Sequence, residues 1–161
     1  NKIWVVNING PRQVVAAGDK DFLLMLAKAM ENLGVTATIL NIAGAFHTPF
    51  MNSAAKKMAD YLLNVKFKKP DIPVLSSSTV RLISEPDEMR VHLVLQIIKP
   101  VNWFETMKFL VNSKVNHTLE VTPSGGILTR LLKTLPDTGG IVTDITGDMI
   151  NNSSEKLLSV V

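Results

Sequence analysis

Cysteine is absent from the 161 residues, which excludes disulfides, thiolate metal sites and a cysteine nucleophile within this chain. Long apolar runs are lacking as well. Lys, Asp, Asn or Gly breaks every hydrophobic stretch before it reaches the roughly 18 to 20 residues that span a bilayer. The first residues, Asn1-Lys2-Ile3-Trp4, do not lead into the long apolar core and small-residue cleavage site of a secretion signal. A cytoplasmic protein without membrane contact is therefore expected. Aromatic residues amount to 6%, and the strand candidates carry no paired exposed aromatics of the kind on which RNA bases stack. Basic residues are scattered, with small groups at Lys56-Lys57, Lys66 with Lys68-Lys69, and Arg130 with Lys133. A net charge of +3 spread in this way suits an acidic partner protein at least as well as a nucleic acid, whose binders concentrate their basic residues on one face. No nucleic-acid partner is expected.

What is present is a chain with 46% hydrophobic residues, enough for one globular domain or two small linked ones. Trp4-Val5-Val6 and Val14-Val15-Ala16 are short strand candidates, and Asn9-Gly10-Pro11 between them carries turn chemistry, so the two can pair as a hairpin. From Asp19 onward Phe22, Leu23, Leu26, Ala29, Met30 and Leu33 recur at spacings of three and four, and Gly34 is placed to end a helix with one buried face. Thr38 to Ile42 reads as a further strand. One helix and about three short strands leave an apolar face uncovered, which predicts that more of the layer lies upstream.

A second helix follows residue 48, with Met51, Ala55, Met58 and Leu62 on its apolar stripe. Ile72 to Leu75 is a strand candidate, Pro86 to Ile98 a helix stopped by Pro100 with Gln96 in its last turn, and Asn102 to about Asn112 another helix burying Trp103, Met107, Leu110 and Val111. Thr118 to Val121 reads as a strand that leads through Thr122-Pro123-Ser124-Gly125-Gly126 into a helix with Ile127, Leu128, Leu131 and Leu132. Ile141 to Ile145 is a late strand, and Ser153 to Val161 a terminal helix or frayed tail.

The chain holds three histidines, and one sits in a position suited to chemistry. In Gly44-Ala45-Phe46-His47-Thr48-Pro49 the imidazole falls between an apolar run and a helix start, where Thr48 can cap and Pro49 occupies the first helical position. An imidazole titrates near neutrality, so it can take a proton from an alcohol and return it to a leaving group within one cycle. The plainer reading of His47 is a partly buried histidine bridging a junction.

Four separated blocks carry a resemblance. Asn7-Ile8-Asn9-Gly10-Pro11-Arg12-Gln13-Val14-Val15 is similar to Asn-x-Asn-Ser-Pro-x-Gln-Val-Val, and Phe46-His47-Thr48-Pro49-Phe50-Met51 to Phe-His-Ser/Thr-x-x-Met. Gln96-Ile97-Ile98-Lys99-Pro100-Val101-Asn102-Trp103 resembles a block reading Gln, a few residues, then Pro-Val-x-Trp, and Glu120-Val121-Thr122-Pro123 resembles Glu-Val/Ile-Gly-Pro. In order and approximate spacing these resemble the C-terminal half of the malonyl-CoA:acyl carrier protein transacylases, the acyltransferases of fatty-acid and polyketide synthesis.

That resemblance implies an α/β fold: part of a ferredoxin-like small subdomain over 1–46, then the C-terminal part of an α/β-hydrolase-like acyltransferase core over 47–161. It implies transfer of a malonyl group from coenzyme A to a carrier-protein thiol through an acyl-serine, with malonyl-CoA as substrate, no cofactor and no metal. Partners would be the acyl carrier protein, the coenzyme A thioester and the absent N-terminal half of the acyltransferase. His47 would act as general base and then acid, Gln96 would orient it through a backbone carbonyl, Asn9 would shape the substrate side of the cleft, and Phe46 would accompany malonyl preference. His92 and His117 match no such block.

The departures also count. No Gly-x-Ser-x-Gly nucleophile elbow occurs in these residues, so the serine would lie upstream and this chain alone is expected to be inactive. Ser124 lacks the glycine two positions before it, and its block corresponds to a different part of the family. Thr122 stands where the family has glycine, and Val35-Thr36 where it often has a basic pair. The competing reading is a non-catalytic, acyltransferase-derived module that docks a carrier or synthase protein.

Overall fold

The computed structural model describes residues 2–113, 115, 117–121, 127–133, 135 and 141–145. These form two compact units, Asn1–Thr106 and Met107–Val161, with the division falling inside one helix.

The first unit opens with β1 (Ile3–Gly10) and β2 (Gln13–Gly18), an antiparallel hairpin in register from Ile3 opposite Gly18 to Gly10 opposite Gln13. Irregularities between Val5 and Asn7 and between Ile8 and Gly10 add local twist to the ribbon. Gly18 is required by a close approach: a Cβ there would collide with the Lys2 carbonyl, which also accepts a hydrogen bond from the Asp19 amide at 2.9 Å. The Asp19 side chain accepts from the Asp21 amide at 3.1 Å and starts α1 (Lys20–Asn32), as its capping chemistry dictates. Gly34, at φ +75°, ends it, with the Gly34 and Val35 amides returning to the Glu31 and Met30 carbonyls.

Two sequence expectations fail here. None of the residues of α1 is fully buried, so its apolar stripe has no complete cover. Residues 35–42 form no strand: the apolar alternation is there, but no neighbouring strand supplies a ladder, and Val35, Ile39, Leu40 and Ile42 are all exposed. A strand is defined by its partner as much as by its side chains.

After a 3-10 turn at Pro49–Met51 comes α2 (Asn52–Leu62), which buries Ala55 and Leu62 while Met58 stays partly open. The hairpin of β3 (Val74–Ser76) and β4 (Arg81–Ile83) precedes α3 (Pro86–Ile98) and α4 (Trp103–Asn112); β4 was not anticipated. Val6, Ala55, Leu62 and Ile83 form the buried apolar set of this unit, the Val, Leu and Ile side chains each contributing on the order of 1.5–3 kcal/mol when fully removed from water. Arg90 fastens α3 to α2. Its Nε donates to the Leu62 carbonyl at 3.0 Å and its Nη2 to the Val65 carbonyl, just past the helix, at 3.3 Å, placing positive charge at the C-terminus of α2, where it is favoured.

In the second unit β5 (His117–Val121) and β6 (Ile141–Ile145) pair in parallel, with α5 (Ile127–Leu132) between them in sequence. Parallel neighbours need such a crossover. The carboxylate of Glu120 is buried and accepts from both the backbone amide and the hydroxyl of Thr129, each at 2.7 Å, so the strand end holds the first turn of α5. Ser124, Thr122 and Ser153 to Val161 lie outside the described residues. Among those described, no helix is long and apolar enough to cross a membrane.

Candidate active site

His47 is built into the start of α2 by its neighbours. The hydroxyl of Thr48 is fully buried, donating to the Ala45 carbonyl at 2.6 Å and accepting from the Phe50 amide at 3.2 Å. One side chain thus ties both flanks of the histidine. Phe50 meets the ring of Trp4 edge-on, with centroids 5.0 Å apart and planes at 75°, an aromatic arrangement that anchors the turn on β1. His47 itself has φ +62°, a left-handed conformation that costs a non-glycine residue on the order of 1–2 kcal/mol. Such outliers persist where surrounding contacts determine them, and they cluster at functional sites.

Those contacts come from the end of α3. The His47 amide donates to the Ile97 carbonyl at 3.0 Å, and its Nδ1 lies 2.6 Å from the Gln96 carbonyl oxygen. A carbonyl only accepts, so Nδ1 carries the proton and donates it. The neutral ring then has its lone pair on Nε2, which is the form a general base requires. The connector after α3 is in turn laced to β1: the Val101 amide donates to the Val6 carbonyl at 2.8 Å and the Ile8 amide to the Val101 carbonyl at 2.9 Å.

The structure brings His47 and Gln96 together across 49 residues of sequence. Asn9 lies half-buried near the end of β1, and Phe46 is exposed beside the histidine; among the described residues no hydrogen bond joins either to the pair. His92, set aside on sequence grounds, is half-buried on α3, with Nδ1 3.0 Å from Ser76 Oγ and 3.4 Å from Thr79 Oγ1. It borders a cavity of about 140 Å³ that Gln96 also lines. Sequence reading missed this hydroxyl cluster, although the run Ser76-Ser77-Ser78-Thr79 was the available signal. His117 opens β5 and is exposed. No group of three or more His, Asp or Glu residues among the described ones could hold a metal ion.

The acyl transferase domain model matches residues 1–160. The chain belongs to this family. The malonyl CoA-acyl carrier protein transacylase of Escherichia coli strain K12 is 34% identical over 134 residues, a match covering 83% of this chain and 43% of that protein. The polyketide biosynthesis protein ThaF of Burkholderia thailandensis is 34% identical over 140 residues, covering 86% of this chain and 12% of that one. Among solved structures, a malonyl-transacylase in complex with its type II polyketide acyl-carrier protein superposes with a TM-score of 0.83 at 29% identity, over 96% of this chain and 50% of its own. An acyl transferase of this family is an α/β enzyme, and the chain spans about half the length of the transacylases it matches.

Proposed function

We propose that this chain supplies the histidine-bearing half of a malonyl-CoA:acyl carrier protein transacylase in fatty-acid or polyketide synthesis. The observation that carries this is the 2.6 Å contact between Nδ1 of His47 and the Gln96 carbonyl, which leaves Nε2 as the proton acceptor. A serine on the other half gives its hydroxyl proton to Nε2 as its oxygen attacks the thioester carbonyl. The imidazolium returns that proton to the departing coenzyme A thiolate, leaving an acyl-serine. In the second half-reaction the carrier protein's pantetheine thiol gives its proton to Nε2 and attacks the acyl-serine, and the proton goes back to the serine. Two such steps, each with a positioned base, replace one difficult transfer.

Gln96 is the orienting residue, Asn9 borders the substrate, and Phe46 narrows the acyl pocket. Residues 1–46 belong to a ferredoxin-like small subdomain and 47–161 to the large acyltransferase subdomain. The substrates are a coenzyme A thioester and an acyl carrier protein, with no cofactor, in the cytoplasm. The hairpin followed by a helix, and the uncovered apolar residues of α1 and 35–42, support a fold that continues on a second segment. A solved neighbour caught with its carrier protein supports that partner.

The test is acyl labelling. Radiolabelled malonyl-CoA is expected to leave no stable label on this chain alone, and to label the elbow-bearing half when that half is supplied, with transfer on to carrier protein. Stable labelling of the isolated chain overturns the reading. Binding of carrier protein without any labelling of the joined halves replaces it with the non-catalytic docking module.

A further inference from the structure

The Gln96 carbonyl lies in the last turn of α3, where carbonyls lack intrahelical partners, and in a helix that continued it would be claimed by the amide of residue 100. Position 100 is proline, which has no amide hydrogen. The next candidate competitor is also removed: the Val101 amide, which would claim the Ile97 carbonyl, donates instead to Val6 at 2.8 Å. Two consecutive carbonyls are thereby left open, and His47 takes both, the ring at Gln96 and the amide at Ile97. The backbone before the proline agrees. Lys99, at φ −101° and ψ 147°, is extended, as the residue before a proline must be when the ring excludes the helical region, and its amide closes the helix on Leu95 at 2.8 Å.

We infer that Pro100 is a positioning residue for His47: by withholding the amide that would occupy the Gln96 carbonyl, it fixes the Nδ1–H tautomer of the imidazole. Val101 assists by turning its own amide to β1. The sequence Gln96-Ile97-Ile98-Lys99-Pro100-Val101 is thus a device for ending a helix with two vacant acceptors at a defined place. The inference concerns the ring that the proposed transacylase reading uses, but it is read without any acyl transfer, so the two can fail separately.

The experiment is nitrogen NMR of the His47 ring in the full chain, at a pH where the ring is neutral, since protonated and bare ring nitrogens resonate far apart. In the unaltered chain Nδ1 is expected to be protonated and Nε2 bare. Pro100→Ala, which supplies an amide hydrogen and relaxes residue 99, is expected to move the tautomer ratio toward Nε2–H by roughly fivefold, the change set by losing one ordinary hydrogen bond. Pro100→N-methylalanine, which again lacks the amide hydrogen, is expected to restore the original ratio. An Nε2–H ring in the unaltered chain overturns the inference without recourse to any variant. So does an unchanged ratio in a folded Pro100→Ala chain. If Pro100→Ala does not fold, a ratio in the N-methyl variant equal to that of the unaltered chain supports the inference, and an altered ratio overturns it.

Discussion

At the scale of single residues, His47 combines a strained backbone with a fully used hydrogen-bonding edge. Its φ of +62° is comfortable for glycine and awkward for alanine, whereas the ring contact to Gln96 is lost in either substitution. His47→Gly is therefore expected to be more stable than His47→Ala by about 1 kcal/mol, measured by urea denaturation; equal stabilities would mean that the left-handed geometry carries no strain. Part of this site was legible in the sequence. Thr48 and Pro49 announce a helix start, and Gln96 falls in the last turn of a helix that Pro100 must end. The pairing of His47 with Gln96 was legible only through the family blocks, because 49 residues separate the two and no local periodicity encodes a contact between a side chain and a distant carbonyl.

At the scale of elements, local chemistry and tertiary context parted company in an instructive way. α3 follows from the prolines that bound it, Pro86 in its first turn and Pro100 beyond its end, and the β1–β2 hairpin from the turn residues between its strands. Residues 35–42 have strand-like side chains, yet stay unpaired for want of a neighbour, and α1 keeps its stripe without a complete cover. The hairpin partner β4 was missed because Arg81-Leu82-Ile83 is too short for a periodic signal. Helix placement around the site depends on Arg90, whose guanidinium donates to the Leu62 carbonyl at the end of α2 and to the Val65 carbonyl just past it. Its bridge to Asp87 at 2.7 Å involves a carboxylate 92% exposed, and such a pair adds little. Arg90→Met keeps the apolar stem and removes the donors, and is expected to cost roughly 1–3 kcal/mol in thermal unfolding. A loss no larger than that of Asp87→Ala would show that the two carbonyl contacts are not what holds α2 to α3.

At the scale of the whole molecule, the chain spans about half the length of the transacylases it matches. What it contains is coherent: an imidazole held by a distant backbone carbonyl, and a turn in which the buried Thr48 ties both flanks of that histidine. What it lacks is a nucleophile elbow, since no Gly-x-Ser-x-Gly occurs in it. The exposed apolar residues on α1 and along 35–42 are surface suited to burial against another surface. Whether His47 moves the proton in acyl transfer is read from the single-turnover rate of malonyl-serine formation with both halves present, comparing the unaltered chain with His47→Ala. A fall of roughly 10²- to 10⁴-fold is expected; acylation at a near-normal rate would contradict that role.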